Sequence, residues 1–280
     1  MSAPTGSGDP YRLDGMVALI VGTSPNIGAG IALEVARAGA AVACVDRDQQ
    51  SAQRVVDDIV RIGGRAAAFG CDVTEPGEVA TTVERVSREL GPVDVLVNGA
   101  VIYMVQGVLD MPFDSWRRQI SVMLDGAFLF TKHVAGALVT AKRSGCVVNV
   151  ISTAGHQGEP SNIGYTTAKG GLLNMTRSAA MELAPFGIRV NSLTPTATDL
   201  TEMSERVERW GLPPIDKALF ASIDEAAKQA PLGELPRPSD YGKAVVFLAS
   251  PGARMITGTD LRVDAGTLAM YWRKKPPGGP

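Results

Sequence analysis

Short, mostly apolar runs recur along the chain and alternate with longer segments in which hydrophobic residues follow helical spacing. The runs lie at 16–21, 41–45, 66–69, 93–97, 147–151, 188–193 and 261–263. Runs of this kind are typical of strands that are covered on both faces. Between them, one helical face is formed by Ile31, Val35 and Ala38, and another by Val55, Ile59 and Ile62. This alternation predicts an α/β fold with one parallel, doubly wound sheet and helices on both faces.

Composition narrows the class of protein. The chain has 280 residues, 45% of them hydrophobic, and a net charge of −2. It is too apolar to be disordered and has no basic excess for general nucleic-acid binding. It has no apolar run of the roughly 18 residues that a membrane span needs, and its first ten residues are not those of a signal peptide. Cys44, Cys71 and Cys146 lack metal-site spacing, which indicates a reduced, cytoplasmic setting.

The alternation of apolar runs and helical segments predicts how the chain is organised into domains. We expect residues 13–268 to form one domain, between a Gly/Pro/Ser-rich tail at 1–12 and a basic, Pro/Gly-rich tail at 269–280. The second tail is either solvated or an arm that packs on a neighbouring subunit. Residues 196–235 interrupt this alternation, and a connection of this length predicts a lid over a substrate. Its large apolar side chains include Met203, Trp210, Leu219 and Phe220.

A glycine-rich turn follows the first apolar run and reads Gly22-Thr-Ser-Pro-Asn-Ile-Gly28. Before a helix, such a turn offers free N–H groups to a pyrophosphate, although the same pattern also occurs in turns without a ligand. Asp46 ends the second run, where a carboxylate can accept hydrogen bonds from ribose hydroxyls and repels a 2′-phosphate. NAD is therefore favoured over NADP. Arg47 leaves NADP open, and Asp46 could also be a solvated loop carboxylate.

A phenol and an amine stand one helical turn apart at Tyr165 and Lys169. A lysine cation beside a tyrosine stabilises the phenolate, so we expect a lowered pKa that suits a general base. Ser152 ends an apolar run thirteen residues earlier. Its hydroxyl could hold a substrate oxygen, or it could cap a helix.

Together these residues resemble the short-chain dehydrogenase/reductase family over about residues 13–268. The matching landmarks are Gly22 to Gly28, Asp46, Asp72-Val73, Asn98-Gly-Ala100, Ser152, Tyr165 with Lys169, Arg189-Val-Asn191 with Pro195, and Val263-Asp264-Ala-Gly266. The resemblance implies a Rossmann fold with seven parallel strands, a nicotinamide cofactor, and a homotetramer or homodimer.

The resemblance also implies a role for each matching residue. Tyr165 would be the general acid/base, Lys169 would bind the nicotinamide ribose, and Ser152 would orient the substrate oxygen. The predicted cofactor-binding set comprises Gly22, Ser24, Pro25, Asn26, Ile27, Asp46, Arg47, Asp72, Val73, Asn98, Gly99, Ala100, Tyr165, Lys169, Pro195 and Thr198. Within it, Asp72 and Val73 would flank the adenine, and Pro195 with Thr198 would hold the carboxamide.

Five positions depart from the family pattern. Val21 replaces a usual Thr, and Thr196 replaces a Gly after Pro195. The segment that usually reads Asn-Asn-Ala-Gly is Asn98-Gly99-Ala100-Val101. Asn26 stands for a glycine that often has positive φ, a conformation that Asn tolerates. Met123 stands for an asparagine that helps hold a proton-relay water in the family, which suggests a modified relay or simple core filling.

The sequence thus predicts an NAD(H)-dependent oxidoreductase that interconverts a lipophilic secondary alcohol, either cyclic or aromatic, and its ketone, acting toward oxidation. The alternatives are a non-catalytic nucleotide-binding protein and a 3-oxoacyl-thioester reductase. No metal site is expected. His133 is expected to serve packing on one long helix over 115–141, and His156 to lie near the cleft mouth, where it could touch substrate.

Overall fold

A seven-stranded parallel sheet forms the centre of the protein. The computed structural model describes residues 9–270, and the sheet order is β3-β2-β1-β4-β5-β6-β7. The strands are β1 (Val17–Val21), β2 (Ala41–Asp46), β3 (Ala66–Gly70), β4 (Val95–Asn98), β5 (Gly145–Val150), β6 (Ile188–Pro195) and β7 (Asp260–Val263). Each predicted apolar run is a strand, so the predicted α/β, doubly wound Rossmann architecture is confirmed.

Nine α-helices within residues 9–270 flank the sheet. They are α1 (Ile27–Arg37), α2 (Gln49–Arg61), α3 (Pro76–Glu89), α4 (Phe113–Ile120), α5 (Gly126–Thr140), α6 (Ile163–Leu183), α7 (Thr201–Arg209), α8 (Lys217–Gln229) and α9 (Pro238–Ala249). One apolar core lies under α1, α2 and α9, and the other lies under α3, α5 and α6. The predicted buried faces hold except at Ile62, which is 44% exposed just beyond the end of α2.

The helix predicted over 115–141 is interrupted. A π-helical segment at Ser121–Asp125 separates α4 from α5, and Met123 is buried within it. The continuous helical stretch Phe113–Thr140 is long and apolar enough, by length and composition alone, to cross a membrane, and 44% of its most apolar window is buried. Its α5 portion packs against α3 and β4, so this helix contributes to the core of the domain.

The ends of the chain differ from the prediction at one point. Residues 1–8 and 271–280 of the two expected tails lie outside the described residues. Residues 9–12, expected to be loose, contact the domain. The Pro10 carbonyl accepts a hydrogen bond from Gly252 N at 3.0 Å, and the Tyr11 ring lies 6.2 Å from the ring of Phe247. The local sequence is polar and turn-rich, but these contacts come from residues more than 200 positions away.

The expected lid has two different parts. In the first, α7 is attached to the α1–α2 side of the sheet, and Trp210 packs against that core and donates from Nε1 to Asp58 at 3.1 Å. Trp210 therefore belongs to the packing between α7 and α2 and is not a lid side chain, contrary to the prediction. In the second part, α8 has no buried residue, and it packs through Ile223, Ala226 and Ala227 next to Ala265.

Candidate active site

A cleft lies at the carboxyl ends of the strands, where the strand order reverses between β1 and β4. This is the position at which doubly wound sheets bind ligands. The cleft is lined by Gly22, Ser24, Asp46, Arg47, Cys71, Asp72, Val73, Gly99, Ala100, Val101, Ile102, Arg118 and Val122. Eight of these residues belong to the predicted cofactor set. Pro25, Asn26 and Ile27 are not among these residues, and they lie in the turn that leads into the N-terminus of α1.

Close backbone approach requires glycine at two positions of the turn. Gly22 has φ of +86°, and a Cβ there would lie 2.7 Å from the backbone of Gly99 and Ala100. A Cβ on Gly28 would lie 2.0 Å from the carbonyl oxygen of Gly22. Asn26 has φ of −92°, so the positive φ considered for it is not needed there. Its side-chain oxygen is buried without a partner among residues 9–270.

The approach at Gly28 gives a testable prediction. We expect Gly28→Ala to destabilise the protein by about 1–3 kcal/mol, the usual range for overpacking, because the neighbouring atom is backbone. The matched control is Gly77→Ala in α3, where a Cβ would meet nothing within 4 Å. Urea unfolding of both variants measures the difference. Equal stability of the two variants would contradict this packing.

Charged groups surround the end of the cleft beside β2 and β3. Asp46 is partly buried at the end of β2, and burial raises the pKa of its carboxyl group above the usual value. Arg47 beside it is exposed. Asp72 accepts hydrogen bonds from the backbone and hydroxyl of Thr74, and Arg118 lies 3.5 Å from its carboxylate. Sequence reasoning missed Arg118, because only the fold brings α4 over the end of β3.

Asn98 supports the cleft from beneath. Its Nδ2 donates to Asn149 at 2.8 Å and to Thr131 at 3.1 Å, and Asn149 in turn donates to Thr176 at 2.9 Å. This buried network joins β4, α5, β5 and α6. The side chain of Asn98 therefore lies in the network and not along the cofactor path that the sequence suggested, while the neighbouring Gly99 and Ala100 do line the cleft.

Ser152 follows β5 and begins a short 3₁₀ turn. Its Oγ accepts a hydrogen bond from Ala154 N at 3.2 Å, so it has the capping role that the sequence left open. The same hydroxyl interacts with the Tyr165 phenol, and this interaction favours the phenolate and partly offsets the rise in the pKa of Tyr165 that burial causes. The structure thus brings the Ser152 and Tyr165 hydroxyls together. The Ser152 hydroxyl both caps the 3₁₀ turn and interacts with the phenol of Tyr165.

Tyr165 and Lys169 lie on one face of the first turns of α6. The Lys169 ammonium is 5.7 Å from the centroid of the Tyr165 ring and donates to the carbonyl of Val150 at 2.8 Å. Burial raises the pKa of Tyr165 despite the Ser152 hydrogen bond, and burial lowers the pKa of Lys169 to about 8. The expected lowering of the tyrosine pKa is therefore not met in the protein alone, because exclusion of water opposes both charges.

A second tyrosine contacts the first. The ring of Tyr103 meets that of Tyr165 edge-on, with centroids 5.1 Å apart. Burial and the nearby carboxylate of Glu159 raise the pKa of Tyr103, and Glu159 also accepts a hydrogen bond from Asn162 at 2.8 Å. Tyr103 is 56% exposed, so it lies at the mouth of the site. Glu159 was not among the site residues that the sequence predicted.

His156 holds the loop after Ser152 in place. Its Nε2 lies 2.9 Å from the hydroxyl of Thr194 and 3.2 Å from a carboxylate oxygen of Asp260, and its side chain is 12% exposed. The imidazole therefore links the Ser152 loop to β6 and β7, and it is not directed to a substrate at the cleft mouth. Asp260 carries no motif that would have identified it in the sequence.

Thr198 has its hydroxyl engaged elsewhere. The Thr198 Oγ1 lies 3.3 Å from the hydroxyl of Tyr241 in α9, and Thr198 is 6% exposed. The Tyr241 hydroxyl also donates to the carbonyl of Thr196 at 3.3 Å, and burial raises the pKa of Tyr241 to about 12. The predicted contact of Thr198 with a carboxamide is not made through this hydroxyl, which Tyr241 takes. Pro195 is the last residue of β6, and its contact with the carboxamide stays a prediction.

Met123 lies in the wall behind the site. It is 1% exposed within the π-helical segment, and this segment packs against α6, which carries Tyr165 and Lys169. Its thioether fills core space, which is the simpler of the two roles that the sequence allowed. Over residues 9–270, no group of three His, Cys, Asp or Glu side chains could hold a metal ion, and His133 lies on α5.

Comparison with known proteins identifies the family. A family model described as enoyl-(acyl carrier protein) reductase matches residues 22–267. The cis-4-hydroxycyclohexanecarboxylate dehydrogenase of Sinomonas cyclohexanicum is 36% identical over 259 residues, which cover 91% of this chain and 97% of that protein. The chain belongs to the short-chain dehydrogenase/reductase family. It is therefore an oxidoreductase of the dehydrogenase and reductase type, as the motifs predicted.

Two solved structures of this family extend the comparison. A gluconate 5-dehydrogenase from Burkholderia cenocepacia J2315, in complex with NADP and tartrate, has a TM-score of 0.82 and 28% identity, covering 94% of this chain and 98% of its own. A 7α-hydroxysteroid dehydrogenase with NADH and 7-oxo glycochenodeoxycholic acid has a TM-score of 0.81 and 29% identity, covering 93% and 97%. Similar short-chain dehydrogenases therefore bind either nicotinamide dinucleotide.

Proposed function

We propose that this protein is an NAD(H)-dependent dehydrogenase that interconverts a lipophilic secondary alcohol and its ketone. The observation that carries the proposal is the pairing of the Ser152 and Tyr165 hydroxyls beside the buried Lys169 amine. A serine and a phenol that meet at one point can bind a single oxygen atom and exchange a proton with it. The cleft that begins at Gly22 and Asp46 supplies a second binding region.

The cleft residues fit a dinucleotide. The amides of Asn26, Ile27 and Gly28 at the start of α1 donate to no acceptor within residues 9–270, which suits a pyrophosphate. The backbone of Gly22 lies so close to that of Gly99 that position 22 has no space for a side chain. Asp46 would accept from the adenosine ribose, with Asp72 and Val73 beside the adenine. A bound nicotinamide would supply the hydride acceptor or donor.

The chain's own residues would move the proton. In the oxidation direction, Tyr165 as phenolate takes the hydroxyl proton of the alcohol while the Ser152 hydroxyl donates a hydrogen bond to the same oxygen. In the reduction direction, the protonated phenol returns that proton. The raised pKa of Tyr165 keeps the phenol protonated at neutral pH, so we expect oxidation to become faster as the pH rises. Lys169 in its charged form would stabilise the phenolate.

The preference for NAD rests on Asp46 and is tested by substitution. We expect Asp46→Ser to lower the ratio of kcat/KM for NAD⁺ to that for NADP⁺ by at least about tenfold, since it replaces the carboxylate with a shorter hydroxyl and removes the charge that repels a 2′-phosphate. The matched control is Asp48→Ser, two residues on, because serine keeps the cap that Asp48 provides to Gln50 N. An unchanged ratio in Asp46→Ser would refute the assignment.

The apolar lining supports the proposed substrate class. Val101 and Ile102, which line part of the cleft, directly precede Tyr103, whose ring contacts that of Tyr165. The similar dehydrogenase from Sinomonas cyclohexanicum is named for a cyclic secondary alcohol. A panel of cyclic and aromatic secondary alcohols with NAD⁺ at alkaline pH, beside a titration of NADH binding, tests the proposal. Turnover of 3-hydroxyacyl thioesters alone would favour the thioester reductase, and binding without turnover would favour a non-catalytic protein.

We further propose that the protein is a cytoplasmic homo-oligomer, either a dimer or a tetramer. Large apolar side chains stand exposed on adjoining helices, with Phe113 in α4 at 71%, Phe128 in α5 at 54% and Met181 in α6 at 64%. Exposed apolar surface of this kind favours association. The three cysteines are free and buried, which is compatible with a reducing compartment.

A further inference from the structure

Helix α7 is joined to the nucleotide side of the fold by charged groups. Asp58 in α2 is 3% exposed and accepts from Arg209 Nη2 at 2.6 Å and from Trp210 Nε1 at 3.1 Å. Burial alone would raise the pKa of Asp58, but the hydrogen bonds from Arg209, Arg61 and Trp210 outweigh it and lower the pKa. The C-terminal end of α7 is therefore fixed on α2, and the preceding turn of the helix faces α1.

Arg206 lies on that turn and is itself buried. Its side chain is 4% exposed, its Nη1 donates to the carbonyl of Pro25 at 2.7 Å, and its Nη2 donates to Glu202 at 2.7 Å. Glu202 also accepts from the backbone and hydroxyl of Ser239 at the start of α9. The guanidinium thus connects the glycine-rich turn to α7 and, through Glu202, to α9.

The contact with Pro25 determines how one peptide group is oriented. The amides of Ala29 and Gly30 donate to the carbonyls of Ser24 and Asn26, whereas the intervening carbonyl of Pro25 accepts from Arg206. The peptide bond between Pro25 and Asn26 is trans, so its C=O and N–H point in opposite directions. While Arg206 holds the oxygen, the N–H of Asn26 must point away from α7.

We propose that Arg206 is a positioning residue for dinucleotide binding, acting by holding the Pro25–Asn26 peptide so that the Asn26 N–H faces the pyrophosphate. This inference rests on the proposed function, since it requires the turn to hold that group. It assigns part of the expected lid to cofactor binding and leaves α8 as the part available to the substrate. The forked guanidinium suits the task because it reaches the Pro25 carbonyl and Glu202 at once.

The test separates the pyrophosphate from the rest of the nucleotide. Calorimetric titration with ADP and with adenosine measures binding with and without the phosphates. We expect Arg206→Met to weaken ADP binding about tenfold, the size expected when one charge-assisted N–H donor is misaligned, and to change adenosine binding less than about twofold. The KM for NAD⁺ should rise by a similar factor while kcat stays within about threefold.

Two further variants complete the test. Arg206→Met combined with Glu202→Gln avoids an unpaired buried charge and should show the same loss of ADP affinity. Arg209→Met loosens α7 from Asp58 without touching Pro25, and it should bind ADP as the unmodified protein does. Unchanged ADP affinity in both Arg206 variants, an equal loss for adenosine, or an equal loss in Arg209→Met would overturn the proposal. Failure of the unmodified protein to bind ADP at all would instead refute the nucleotide-binding function.

Discussion

Tyr165→Phe should reduce turnover by about a thousandfold, within the range that general acid–base catalysis contributes, while NADH binding changes less than about twofold. The substitution removes only the hydroxyl that exchanges the proton with the substrate oxygen. The ring keeps its edge-on contact with Tyr103 and its place near the Lys169 ammonium. Steady-state rates with a secondary alcohol and a fluorescence titration with NADH measure the two quantities separately.

The control for this variant is Tyr11→Phe. This variant makes the same chemical change at a position outside the candidate site, where the Tyr11 ring packs near Phe247. We expect its turnover to match that of the unmodified protein. If Tyr165→Phe kept more than about a tenth of the activity, the phenol would not be the proton-transfer group, and Ser152 or a bound water would have to replace it in the mechanism.

Replacing Lys169 by Met should change how stability depends on pH. The pKa of Lys169 falls from 10.5 in the unfolded chain to about 8 in the folded protein, because the amine is buried. Between these pKa values the unfolded chain binds one more proton than the folded protein. The free energy of unfolding of the unmodified protein therefore rises with pH over this interval, because the penalty for burying the ammonium disappears. Relative to Lys169→Met, the unmodified protein should gain roughly 3 kcal/mol from pH 7 to pH 10.5.

Urea unfolding at a series of pH values measures this gain as a difference between the two proteins, in which the titration of other groups cancels. Lys142→Met serves as the control, since Lys142 is exposed on the turn after α5 and should show no such pH-dependent difference. A difference that stays flat with pH would mean that Lys169 remains hydrated. The same Lys169→Met variant should also lose activity, because its phenolate would lack the nearby positive charge.

Much of the fold was predictable from local patterns. The seven apolar runs became the seven strands with ends shifted by at most two residues, because strands covered on both faces are mostly apolar. Several candidate site residues were also predictable, since Gly22, Asp46 and Ser152 all lie at or just after the end of a strand. Gly22 and Asp46 line the same cleft because parallel strands end at one edge of the sheet.

Other expectations failed where distant residues decide the environment. The tyrosine pKa was expected to fall because the sequence shows the nearby lysine but not the water that the fold excludes from both groups. Thr198 was matched by position to a cofactor contact, yet Tyr241 in α9 takes its hydroxyl. Met123 was placed in a regular helix, whereas in the structure it lies in a π-helical segment that packs against α6.

The amino-acid sequence alone therefore determined the order of strands and helices, the family, and the residue types at the ends of the strands, because periodicity and short motifs are local properties. The tertiary structure decided which of those side chains meet and in what surroundings. Pro25 and Arg206 are 181 residues apart, and Asp58 and Trp210 are 152 apart. Hydrogen bonds, burial and shifted pKa values at such positions depend on neighbours that local sequence patterns do not identify.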